Sequence, residues 1–213
     1  MATKDTEKTE QSDNAADEQL SYFDKRMKLL GVTDENNTID ALFYDATAGK
    51  NITKPFKIFR KSELGIEIHV TKLDRVPIVF AKEGSRHKTN KFCITRLENP
   101  VEKKGQQIKY NIPPGAGTFP FFPPSVLAAY ESKDEVHTLV LTEGYFKAFK
   151  GAMHGIIIIG LSSITHLREK DSQSLYPDIK KFIIDKKVKR VIFLHDGDCM
   201  NITSKEIVDG IDL

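Results

Sequence analysis

The sequence predicts an α/β fold: a parallel sheet with flanking helices, preceded by a small strand-rich α+β unit. Three observations carry this. Apolar runs in "TLVLTEG", "GIIIIG" and "KRVIFLHDGD" alternate with the helix-like stretches "YFKAFKGAMH" and "SQSLYPDIKKFIIDKKV". Strands that are apolar throughout, separated by helices, are the mark of a parallel sheet covered on both faces. Further towards the N-terminus the period is two: "GIEIHVTK" sets Ile66, Ile68 and Val70 against Glu67, His69 and Thr71, a half-buried strand. Between these regions, five of the nine prolines fall from Pro113 to Pro124. Proline fixes φ and removes a donor, so this stretch is a stiff connector rather than a helix or central strand.

Taken in order, residues 1–18 are polar, charged and without aromatics. They bury too little apolar surface to offset the entropy of ordering and are expected to be a disordered tail. From Leu20 a helix is expected, with Leu20, Phe23, Met27 and Leu30 on one face and Gly31 placed to end it. Residues 39–112 read as a small antiparallel sheet or several hairpins. Pro77 in "RVPIVFAKEG" suits a strand edge or bulge, and "KFCITRL" puts Phe92 and Ile94 on one face. "QQIKYNI" reads as one further short strand. In the connector, Phe119, Phe121 and Phe122 are placed to pin it to a neighbouring surface. A boundary is expected near residue 125, giving units of 19–124 and 125–213, and "PSVLAAYESKD" begins a short helix.

Composition bounds the class. Charged residues make up 29% and the net charge is +2, so any nucleic-acid affinity has to come from local charge rather than overall balance. Cys93 and Cys199 are far apart and in no metal-like spacing, which fits a reducing compartment and no disulfide framework. The N-terminus has no apolar signal core, and the longest apolar run, residues 156–159, is far too short to span a bilayer. A cytoplasmic protein is expected.

The chemistry is expected at the C-terminal ends of the parallel strands, where open α/β sheets bind ligands. Glu143 lies just past one such end; Asp196 and Asp198 lie just past another, 53 residues on from Glu143 to Asp196. Three converging carboxylates repel unless a cation sits among them. A hard divalent ion, Mg²⁺ or Mn²⁺, takes such oxygen ligands and bridges to phosphate. Acids beside glycine after a strand are also common turn formers, and "DGD" alone is weak.

The segments "LVLTEGYFKA", "GIIIIGLSSI" and "VIFLHDGD" together resemble the Toprim fold of bacterial-type DNA primases and topoisomerases. The resemblance implies a Toprim-like sheet in which Glu143 is the acid/base or metal-proximal glutamate and Asp196 and Asp198 bind the metal. Over residues 20–213 the chain resembles primase- or helicase-associated replication proteins of Bacteroides-type mobile elements and phages. "CMN" follows the D-x-D where replicative primases often carry alanine–glycine, and Ser163 stands where glycine is usual. The sequence stops at Leu213 soon after the D-x-D, so a truncated Toprim-like unit, without a fourth strand or later acid, is expected.

Around these acids, Lys147 falls one helical turn after Glu143, able to reach phosphate or to sit in solvent. Gly144 allows close backbone approach, and Ser162 and Ser163 offer hydroxyls either for phosphate or for helix capping. His154, His166 and His195 lack zinc-site spacing, and of the three only His195 adjoins the acids. "AKEGSRHKTNKF" carries Arg86, His87 and Lys88, with Arg96 on the next strand, a basic loop placed to follow single-stranded DNA or RNA. Tyr110 and the connector phenylalanines are candidates for stacking bases.

The expected activity is primase-like, Mg²⁺-dependent nucleotidyl or phosphoryl transfer on nucleic acid, with nucleotides and a helicase or ATPase as further partners. The competing expectation is a catalytically incomplete nucleic-acid- or nucleotide-binding module of a mobile-element primase-helicase. An aspartyl-phosphate phosphatase fits less well, because its nucleophile follows the first core strand. A Rossmann oxidoreductase lacks its G-x-G-x-x-G here.

Overall fold

The computed structural model describes residues 20–81, 89–114, 116–168 and 174–194. The expected tail at 1–18, the loop residues Arg86, His87 and Lys88, and His195, Asp196 and Asp198 lie outside the described residues.

Helix α1 (Tyr22–Leu30) starts at Ser21, whose hydroxyl accepts the Asp24 N–H, and buries Met27 and Leu30. It ends at Gly31 (φ +73°), whose N–H returns to the Lys28 carbonyl, the left-handed cap that glycine adopts without strain. Leu20 lies before the helix. Strands β1 (Thr38–Asp45) and β2 (Lys50–Lys57) form an antiparallel hairpin, with Pro55 tolerated because β2 has no second neighbour.

Strands β3 (Phe59–Ser62), β4 (Gly65–His69), β7 (Cys93–Lys103) and β8 (Gln106–Asn111) form an antiparallel sheet in the order β3-β4-β7-β8. Short strands β5 (Val79–Ala81) and β6 (Thr89–Lys91) pair beside it. Pro77 precedes β5 and makes a single bridge with Thr71, the edge-type role that proline permits. Ile66, Ile68 and Ile94 are buried on one face of the large sheet. The opposite face was expected to meet solvent. Instead His69 and Thr71 are buried, and Phe56 from the β1–β2 hairpin sets its ring edge-on to His69 at 5.8 Å.

Helix α2 (Pro124–Glu131) opens on proline, whose fixed φ suits a first turn. The second half is a three-stranded parallel sheet of β9 (Thr138–Glu143), β10 (Ile158–Leu161) and β11 (Arg190–Leu194). Helices α3 (Tyr145–Met153) and α4 (Pro177–Asp185) flank it. The strand order is β10-β9-β11, so the first strand is central. Gly160 of β10 faces α3: a Cβ there would lie 2.9 Å from that of Ala148. Leu141, Val191 and Phe193 lie on the other face and share a cleft with Ile183 of α4. Alternation along each strand thus puts one helix on each face.

The connector does more than pack. Phe121 donates to the Gly160 carbonyl and accepts the Gly160 N–H, at 2.7 and 2.9 Å, adding a short antiparallel bridge to the outer edge of β10. Phe121 and Phe122 are buried, which removes them as faces for stacking bases. Phe59 of β3 contacts Phe149 and Phe146 of α3, so the antiparallel and parallel sheets share one continuous core. The Asp178 carboxylate at the start of α4 accepts the Leu73 N–H at 3.2 Å, a polar tie between the same two parts. Among the described residues no helix is long and apolar enough to cross a membrane.

Candidate functional site: the rim of the parallel sheet

The parallel register fixes the rim. Leu161 of β10 pairs with Glu143, and Leu194 of β11 pairs with Thr142, so all three strands end at one edge. The connection from β9 goes through α3 to β10, and the chain then crosses by α4 to β11 on the far side of β9. The divergence between β9 and β11 is the switch point at which such sheets open a crevice. Glu143, half-buried, is the last residue of the central strand at that point.

The rim is held rigidly. Thr142 is fully buried, and its hydroxyl donates to the Leu194 carbonyl at 2.9 Å, tying the end of β11 to β9. Thr142→Val keeps the shape and removes the donor. It is expected to lower unfolding free energy by about 1 kcal/mol, readable as a shift in the urea midpoint, with faster amide exchange at the ends of β9 and β11. Gly144 follows with φ +100° and donates its N–H to the Leu161 carbonyl at 2.7 Å. That φ lies where side chains are strained, so the sharp turn from strand to helix requires glycine. The stem of Lys147 lies back over Gly144, with its Cε 3.6 Å from where a Cβ would stand. It therefore reaches the rim rather than pointing away along the helix.

Ser162 and Ser163 follow β10 at the same edge. The Ser162 hydroxyl is 2.7 Å from His166 Nδ1, and Ser163 precedes a 3-10 turn, Ile164–Leu167, that carries His166. Burial holds the His166 imidazole below the usual histidine range, against the opposing pull of the Glu143 carboxylate. His166 is thus a neutral, half-buried imidazole at neutral pH, within electrostatic range of Glu143. Sequence reasoning gave it no such place; the signal was a serine and a histidine four residues apart directly after an apolar strand. His154, by contrast, is exposed beyond the end of α3.

Tyr145 packs beneath this cluster and donates its hydroxyl to the Phe119 carbonyl. Burial pushes its phenol well above the usual range, with the Ser162 hydroxyl opposing, so it serves as a neutral donor. A cavity of about 40 Å³, lined by Ile94, Tyr110, Ile112, Gly144, Tyr145 and Ser162, lies against the turn. That is room for roughly one water molecule.

No family model, curated protein or solved structure matches this chain. The site is therefore read from its own geometry. Of the sequence-derived candidates, Glu143, Gly144, Lys147, Ser162 and Ser163 fall at one rim. Arg96, expected to contact nucleic acid, stands over Tyr110, which lines the cavity beside Gly144 and Ser162. It is half-buried on β7 with its guanidinium 4.8 Å over the Tyr110 ring, and its Nε is buried without a hydrogen-bond partner. Elsewhere among the described residues, Glu67, His69 and Cys93 bring three metal-ligating side chains together on the antiparallel sheet.

Proposed function

We propose that the chain is a Toprim-like module of a DNA replication protein, performing primase-like, Mg²⁺-dependent nucleotidyl or phosphoryl transfer on nucleic acid. The observation that carries the reading is Glu143 at the switch point of a three-stranded parallel sheet, beside the strand that leads into the D-x-D. Asp196 follows Leu194 by two residues, a chain reach of at most about 7 Å. Leu194 is itself bonded to the residue before Glu143.

The donor set of Glu143, Asp196 and Asp198 is all oxygen and anionic, which fits a hard divalent ion and not a thiophilic one. Such an ion, when bound, supplies charge neutralisation to triphosphate oxygens at the point of 3′-hydroxyl attack. Glu143 handles the proton of that hydroxyl, with the neutral imidazole of His166 as a further proton acceptor at the rim. Lys147, folded over Gly144, meets phosphate charge at the same rim. Arg86, His87 and Lys88 give the strand-rich unit a basic loop for single-stranded nucleic acid. Nucleotides, and a helicase or ATPase, are the other partners the reading implies.

The test is Mn²⁺ binding, followed by electron paramagnetic resonance, together with template-directed primer synthesis. Wild type is expected to bind Mn²⁺ and to incorporate nucleotides, with both lost in Asp196→Asn and in Glu143→Gln. Undiminished Mn²⁺ binding in both variants refutes the site. Binding without incorporation by wild type limits the chain to a binding module.

A further inference from the structure

We propose that Glu67, His69 and Cys93 form a second, separate metal site for a borderline transition-metal ion, zinc by its donor types. Glu67 and His69 are two residues apart on β4, so their side chains share a face. Cys93 is the residue of β7 directly opposite His69 in the antiparallel ladder. Direct cross-strand partners hold their Cβ atoms about 5 Å apart. The sheet alone thus converges three ligands, and their donor atoms lie within 4.8 Å of one another. Tetrahedral zinc, with bonds of about 2.0–2.3 Å, needs donors about 3.3–3.8 Å apart. Small side-chain rotations span the difference.

The imidazole is also held in one orientation. His69 is only 7% exposed, and its Nδ1 is buried with no hydrogen-bond partner. Its Nε2 lies 3.0 Å from the Glu67 carboxylate. Nε2 is therefore the nitrogen that faces the Glu67 carboxylate and the one that would hold the metal. The ring is fixed as well as buried, since Phe56 stands edge-on against it at 5.8 Å.

Donor type and charge narrow the occupant. A thiolate and an imidazole are poor ligands for Mg²⁺ and good ones for zinc. Thiolate and carboxylate together balance a divalent charge. The nearby cations are Arg60, over the Phe56 ring, and Lys91, over Phe43 and Phe56. Glu67 and Cys93 are both partly exposed. Three protein donors leave a coordination position for water, so the site is open to solvent. Glu67, His69 and Cys93 lie on the face opposite Ile66, Ile68 and Ile94, and the site is independent of the carboxylate rim.

The test uses tag-free protein stripped with a chelator and titrated with Co²⁺ and then Zn²⁺. One equivalent of Co²⁺ is expected to give a thiolate-to-cobalt charge-transfer band that Zn²⁺ displaces. Cys93→Ser is expected to abolish the band, and Cys93→Ser and His69→Gln to weaken Zn²⁺ binding at least about tenfold, no less than the loss of an outer-shell partner. Cys199→Ser should change neither. Glu67→Gln, with the same weakening of Zn²⁺ binding expected, serves if either Cys93→Ser or His69→Gln fails to fold. Absence of the band in wild type overturns the proposal without any variant. So does a band that survives Cys93→Ser or disappears in Cys199→Ser.

Discussion

Gly65→Ala is expected to lower the unfolding free energy by about 3 kcal/mol or more, combining strain at a positive φ with a steric clash. Gly65 opens β4 with φ +142°, and a Cβ there would stand 2.2 Å from the Arg96 carbonyl oxygen and 2.8 Å from the Glu98 nitrogen. Both contacts are backbone, so no side-chain rotation relieves them. Strand β7 must move away from β4, which breaks the Gly65–Leu97 end of the ladder. The informative control is Gly49→Ala. Gly49 also has a positive φ, +62°, but nothing lies within 4 Å of its Cβ position. Strain alone should cost about 1–2 kcal/mol there. Urea unfolding followed by circular dichroism reads both, and equal losses in the two variants would refute the clash.

Phe59→Ala is expected to cost about 3–5 kcal/mol, the range for emptying a buried aromatic site. Phe59 is 1% exposed, with ring centroids at 4.9 Å from Phe149, 5.4 Å from Phe146 and 6.4 Å from Phe121. Strand, connector and helix α3 all meet on this one ring. Its backbone is anchored independently: Asn37, itself buried, accepts the Phe59 N–H at 2.7 Å and donates to the Phe59 carbonyl at 3.0 Å. The substitution therefore removes packing while leaving the local chain path in place. A loss below about 1 kcal/mol in thermal or urea unfolding would mean the cavity collapses without consequence, contrary to the packing described.

Much of the second half was legible because each local signal had one reading. The apolar runs around Val140 and Ile158 read as a covered sheet, and Pro124 and Pro177 each open a helix; the expectation of cover on both faces does not extend to β11, where Ile192 and Leu194 are exposed among the described residues. The first half was harder. Pro55 and the lysines around it obscure β2, which the ladder to β1 nonetheless holds. Burial of His69 depends on Phe56 arriving from a separate hairpin, a contact that no period in β4 encodes. Glu143 was legible from its position at a strand end. The Ser162–His166 pair was not, because it forms across an irregular turn. Glu67, His69 and Cys93 meet only through a cross-strand register that the sequence leaves open. The D-x-D and the basic loop lie outside the described residues, and their roles rest on the proposal above.

The bridge between Phe121 and Gly160 makes the parallel sheet asymmetric. One flank is closed by the molecule's own proline-stiffened segment, in the manner by which proteins guard against unwanted strand recruitment. Among the described residues, the flank still able to accept a partner strand is that of β11, the strand that runs into the acidic motif. Extension of this sheet by another strand is thereby steered to the outer edge of β11, across the switch point from β10.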